Sequence, residues 1–306
     1  MKKAVVSKNP KRTFGQKINN ERVAGYIFIA PFIIGFLAFI AVPMLMSLGI
    51  SFTKYNILST PEFIGIDNYK AMFQDEKLIN SFWVTIKYVI LSVPLRLIMA
   101  LAVAMLLVKK TKLASFYRAV YYLPSIIGSS VAVAILWKRM FASDGVINAL
   151  LGSVGLPSDT AWLGREDTAI WTLILLAVWQ FGSSMLIFLA GLKQIPVSLY
   201  EAATVDGAGP IKKFFKITLP MLTPTIFFNL INQLINGFMA FTQCYVITQG
   251  KPRESTLFYA VYMYQSSFTY GKLGYGCAMA WLMTIFVGIL TLILFKTQNK
   301  WVYYES

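Results

Sequence analysis

Along this chain, long apolar runs alternate with shorter polar and basic connections, and the runs set the architecture. Crossing about 30 Å of hydrocarbon at about 1.5 Å per residue takes about 20 apolar residues in a helix. Six stretches reach that length: 24–51, 82–108, 115–137, 168–191, 219–241 and 274–295. The third and fifth are the least uniform: Pro124, Ser125, Gly128, Ser129 and Ser130 interrupt one, and carboxamides within 229–236 interrupt the other. Such interruptions are tolerated where a spanning helix faces protein or water rather than lipid. The pattern predicts an all-α, polytopic membrane protein with six transmembrane helices.

Composition agrees, with 57% hydrophobic and 13% charged residues and a mean hydropathy of +0.62. A net charge of +15 would suit nucleic acid, but the basic residues cluster between the apolar runs and no nucleic-acid motif accompanies them. They report topology instead. Lys2, Lys3, Lys8, Lys11, Arg12, Lys17 and Arg22 precede the first run, Lys109, Lys110, Lys112 and Arg118 follow the second, and Lys193, Lys212, Lys213 and Lys216 follow the fourth, with Lys296 and Lys300 near the end. The three loops on the other side are longer and more sparsely basic, with Lys54, Lys70, Lys77, Lys138, Arg139, Arg165, Lys251, Arg253 and Lys272. The denser side is cytoplasmic. Both termini are therefore expected inside, as an uncleaved tail over 1–23 and a short tail over 296–306.

Catalytic chemistry has little to stand on. There is no histidine, the two cysteines Cys244 and Cys277 are isolated, and no GxxxxGK[ST] stretch could bind ATP. No catalytic or metal site is expected, and the chain does not read as an enzyme. The acids are few and none falls within a predicted span. An ion-coupled secondary transporter, the alternative reading, usually needs buried acids or broken helices near the midplane, and their lack weighs against it.

One polar, patterned segment, 196–220, lies between the fourth and fifth runs. Pro196 can open a helix, 199–205 carries no breaker, Gly207 can supply a left-handed stop and Pro210 can restart the chain. Ala202 and Ala203 leave a low surface beside the Glu201 carboxylate, which suits docking to another protein.

The spacing Glu201-Ala202-Ala203, three residues, Gly207, nine residues, Ile217, one residue, Leu219-Pro220 resembles the EAA loop of bacterial ABC-importer permeases. Residues 63–69, Thr248 to Pro252 with Thr256, and Tyr270 with 273–276 resemble external loops of the maltose, oligosaccharide and glycerol-phosphate branch, although Lys251 stands where that branch commonly has a second glycine. The likeness runs over 24–295. It implies the type I ABC importer permease fold, with a peripheral first helix at 24–54 and a transport core at 82–295. It also implies that Glu201, Ala202, Ala203, Asp206 and Gly207 couple to an ATPase. The implied partners are a second homologous permease, two ABC ATPase subunits that carry ATP and Mg, an extracytoplasmic solute-binding protein, membrane lipid and a sugar, as an oligosaccharide. The implied location is the bacterial cytoplasmic membrane, with no cofactor in this chain.

Candidate substrate contacts come from the later spans. Asn229, Asn232, Gln233 and Asn236 sit at i, i+3, i+4 and i+7, so four carboxamides share one helical stripe, and each can donate to and accept from a sugar hydroxyl. Trp179 and Ser183 are one turn apart, with Gln180 and Ser184 beside them, and an aromatic face can stack on a sugar. The resemblance places both groups at the family's site and adds Ser125 and Ser129 as its edge. Arg96, just after Pro94 in mid-span, is expected to contact backbone carbonyls freed near that proline, with a contact to the ligand as the second reading.

Overall fold

The computed structural model describes residues 21–56, 58–108 and 112–303. Helices α1 (Glu21–Phe36) and α2 (Val42–Ser51) join through a π-helical turn, Leu37–Ala41, into a single apolar rod. The rod is mostly exposed and lies at the edge of the bundle against the last long helix, with Trp281 Nε1 donating to Ser47 Oγ at 3.1 Å. It ends at Ser51, three residues short of the expected 54, because the chain turns into a small hairpin. There β1 (Thr53–Lys54) pairs antiparallel with β2 (Glu62–Phe63), Thr53 opposite Phe63. Asn68, in α3 (Asp67–Met72), closes this corner by donating Nδ2 to the carbonyls of Ser51 and Thr53 at 2.8 and 2.9 Å.

Helix α4 (Glu76–Leu107) is the hub of the bundle. It starts six residues before Phe82, where the apolar run begins, because the Asp75 side chain caps it by accepting from the Leu78 backbone N–H at 3.1 Å. Ser81, Ala100 and Ala104 on its packed face have no exposed surface. Small residues at such positions let neighbouring helix backbones approach closely.

The remaining crossings are not all continuous. Three helices, at Gly25–Ser51, Glu76–Leu107 and Leu273–Lys300, are long and apolar enough to cross a membrane as single rods, and three bent helix pairs reach the same length and apolarity only when each pair is taken together, which gives three to six candidate spans among the described residues. The third run divides into α5 (Ala114–Ile127) and α6 (Val131–Met140), which meet at 98°. Ser130 restarts the chain there, its hydroxyl accepting from Val133 N at 3.3 Å. After α7 (Val146–Ser153), the fourth run divides into α8 (Glu166–Trp179) and α9 (Gly182–Gln194), bent by 43°. The fifth crossing breaks by 64° near Leu222, between Pro210–Met221 and Thr223–Ile247. Interruptions in the third and fifth runs were expected; the break in the fourth was not. The signal available for it was the cluster Gln180, Gly182, Ser183 and Ser184 inside an apolar run, and any Cβ at Gly182 would collide with the backbone of Tyr121 and Tyr122.

Past the fourth run come α10 (Val197–Val205) and α11 (Pro210–Lys213), a π turn at Phe214–Thr218, and α12 (Leu219–Met221). Then follow α13 (Thr223–Phe238), α14 (Thr242–Ile247), α15 (Tyr259–Tyr264) and α16 (Leu273–Thr297). Residues 301–303 pack back on the bundle. Trp301 packs on Phe227 with ring centroids 5.7 Å apart, and the Tyr303 N–H donates to Thr223 Oγ1 at 2.8 Å, tying the chain end to the fifth-run break. Residues 1–20, Lys109 and Lys110, which carry much of the topological charge, lie outside the described residues.

Candidate functional site

The connection at 196–220 folds as its local signals dictate. Pro196 is the N-cap of α10, and Gly207 adopts a left-handed φ of 69°. Around it the Ala208 N–H donates to Ala203 O at 2.8 Å and the Gly207 N–H to Thr204 O at 3.0 Å, the paired bonds of a Schellman stop. Gly209 then caps α11, which begins at Pro210. Glu201, Ala202, Asp206 and Gly207 are exposed and Ala203 half-buried, so the five predicted docking residues share one accessible element. Val205 is 89% and Ile211 74% exposed, which gives this polar loop an apolar surface that needs a partner. The element is not loose: Tyr200 OH and Thr218 Oγ1 lie 2.9 Å apart, and Lys213 Nζ donates to Thr204 Oγ1 at 2.7 Å.

Residues of α4, α5, α8, α9, α13 and α14 line an open polar cavity of about 410 Å³. Six of the nine predicted substrate contacts line it: Ser125, Ser129, Gln180, Ser183, Gln233 and Asn236. The fourth-run break is what gathers them. Gln180, the C-cap of α8, presents a carbonyl outside the helix ladder; Ser125 Oγ donates to it at 2.9 Å, and Arg96 Nη2 donates to the same oxygen. Ser125 Oγ in turn accepts from the Ser183 N–H at 2.9 Å, and Gln180 Nε2 donates to Gly128 O at 3.2 Å. Two broken helices thus satisfy each other's freed backbone groups, as a low-dielectric interior requires.

Three predicted contacts lie elsewhere. Trp179 does not share a helical turn with Ser183, because the break separates them; its ring packs on Trp137, centroids 5.8 Å apart. Asn229 is fully buried, and neither carboxamide atom has a hydrogen-bond partner among the described residues. Asn232 is half-buried and donates back to its own helix at Phe228 O, 2.8 Å. The four-carboxamide stripe therefore divides: Gln233 and Asn236 line the cavity, and the other two do not. Gln233 Nε2 also donates to Ser184 Oγ at 2.9 Å, which joins α13 to α9.

Arg96 was expected to contact carbonyls near Pro94; its partner is instead the carbonyl at the α8 break. Sequence spacing could not have found this contact, since the partner is 84 residues away. A mid-span charge costs about 2.5 to 3.5 kcal/mol on insertion scales, and a polar cavity is what makes it tolerable. The expectation that broken helices are lacking also fails, so only the acid distribution speaks against ion coupling: no Asp or Glu lines the cavity.

A second polar cavity, of about 670 Å³, is lined by Lys54, Asn56, Gln74, Asp75, Tyr270 and Lys272 among others. Tyr275 of α16 borders it, whereas Trp301, just past the other end of that helix, reaches the fifth-run break beyond α10. At about 1.5 Å per residue the two ends are about 40 Å apart. Asp75 Oδ2 accepts from both Tyr262 OH and Tyr275 OH at 2.7 Å. Burial pushes the carboxyl up, but those hydroxyls and the backbone N–H groups of Leu78 and Lys77 together hold it below its ordinary value.

The chain matches known proteins in sequence and in fold. The family described as "Binding-protein-dependent transport system inner membrane component" matches residues 23–302. The chain is 55% identical to the probable ABC transporter permease protein YesP of Bacillus subtilis (strain 168) over 294 residues, 95% of each chain. It is 31% identical to the arabinooligosaccharides transport system permease protein AraP of the same organism, covering 92% of this chain and 90% of AraP. A crystal structure of a bacterial alginate ABC transporter in complex with alginate pentasaccharide-bound periplasmic protein contains a chain that aligns with a TM-score of 0.80 at 23% identity, covering 94% of this chain and 97% of that one. That likeness fixes the fold, all-α as expected. The relatives are permease subunits rather than enzymes. With the family match spanning nearly all of its length, the chain belongs to the binding-protein-dependent transport system inner membrane components, the permease subunits of ABC importers.

Proposed function

We propose that this chain is one of two homologous permeases that together pass a sugar, as an oligosaccharide, across the bacterial cytoplasmic membrane. In this reading an extracytoplasmic solute-binding protein delivers the sugar, and two ATPase subunits that hold ATP and Mg supply the work. Ser125, Ser129, Gln180, Ser183, Gln233 and Asn236 carry the reading: a cavity of hydroxyls and carboxamides matches sugar hydroxyls, which both donate and accept. The name of AraP supports the same substrate class.

The coupling element is α10 with its Gly207 stop. Its exposed Glu201, Ala202 and Asp206 meet the ATPase, and its bonds to the helix beyond convey the motion. A rigid lever between two arrangements of the bundle is what coupling between separate sites requires. The test is Glu201→Lys combined with Gly207→Pro in the assembled complex. Uptake and substrate-stimulated ATP hydrolysis are both expected to disappear while the complex still assembles in the membrane; retained uptake would refute the assignment. An ion-coupled carrier would instead accumulate solute in ATP-free vesicles under an ion gradient.

A further inference from the structure

Arg96 sets the charge of the membrane cavity. Of the residues that line it, Arg96 alone is ionised near neutral pH; Tyr88 is the only other titratable one, and the rest are hydroxyl, carboxamide or apolar. The ion pairs among the described residues are Lys70–Asp67, Lys77–Glu254, Arg139–Asp144, Arg165–Asp167 and Arg253–Glu166, and none involves Arg96. The guanidinium has five donors. One contact goes to Gln180 O, and the Nε–H is buried without a partner among the described residues. A carbonyl at a helix end offers a partial charge, so the cavity keeps a net positive centre with donor capacity to spare.

The cavity on the far side of the bundle from α10 follows the same rule. Lys54 and Lys272 border it and neither forms an ion pair among the described residues. Its one carboxylate, Asp75, is already committed to Tyr262 and Tyr275. These two polar cavities therefore offer cations unpaired among the described residues and no uncommitted acid.

We propose that the transported carbohydrate is acidic, and that Arg96 is the residue that selects for it by pairing with a sugar carboxylate inside the membrane cavity. The planar guanidinium matches a carboxylate in shape as well as charge, and in a partly desolvated site that pairing is stronger than a neutral hydrogen bond. The neighbouring carboxamides and hydroxyls then hold the uncharged hydroxyls of the same sugar. This inference rests on the carbohydrate reading above and adds the charge of the substrate to it.

The test compares a galacturonate trisaccharide with its carboxyl-reduced, neutral galactose counterpart, titrated calorimetrically into the assembled transporter without its solute-binding protein. The acidic sugar is expected to bind about ten- to a hundredfold more tightly, which is the worth of one charge-assisted hydrogen bond. Added salt should narrow the gap. Arg96→Gln should erase the preference and Arg96→Lys should keep part of it; if Arg96→Gln fails to assemble, the salt series and Arg96→Lys decide. Equal binding of the two sugars, as would follow if an acid of the partner permease neutralised Arg96, overturns the inference and leaves the carbohydrate reading standing. Silence toward both sugars would overturn the two together.

Discussion

The hydroxyl of Tyr200 lies 2.9 Å from the hydroxyl of Thr218, so the short helix exposed for docking is bonded to the segment that leads into the cavity wall. Thr218 is 6% exposed, and removal of its partner would leave a buried hydroxyl poorly satisfied. We expect Tyr200→Phe to leave assembly intact, to cost about 0.5 to 1.5 kcal/mol of stability, and to lower the sugar moved per ATP hydrolysed. Parallel measurements of uptake and phosphate release in proteoliposomes would read this, and an unchanged ratio would show that the bond carries no coupling.

The pair of tyrosine hydroxyls on Asp75 predicts a pH dependence. Its folded carboxyl lies below the ordinary value of 3.8. Its stabilising contribution is therefore complete above that value and is lost as the pH falls through the lower, folded one. Asp75→Asn should lower the stability near neutral pH, by about 1 to 2 kcal/mol after allowance for solvent at this half-buried site. It should also flatten the acid limb of the stability profile. An acid limb identical to that of the unsubstituted protein would exclude Asp75 as its source.

The division of the carboxamides is testable by pairwise comparison. Asn236 lines the cavity and Asn232 bonds its own helix. Asn236→Ala should raise the half-saturating sugar concentration by about tenfold, the loss of about 1.4 kcal/mol, while Asn232→Ala should stay within about twofold. Equal effects of the two substitutions would mean that the stripe acts as a whole, as its spacing alone suggests.

The sequence determined the class of this protein by itself. Run length set the expected number of crossings, the basic residues set the expected orientation, and the turn grammar of Pro196, Gly207 and Pro210 set the helix, stop and restart over 196–220, because each of these depends on the chain's own composition or on neighbours a few residues away. Tertiary structure alone decided which polar side chains face the cavity. The fourth-run break took Trp179 away from Ser183, and Arg96 found its carbonyl 84 residues on. A helical stripe is about 100° wide, so its edges face different neighbours. Which edge meets a cavity and which meets protein is fixed only when the broken helices pack and their freed backbone groups find partners in one another.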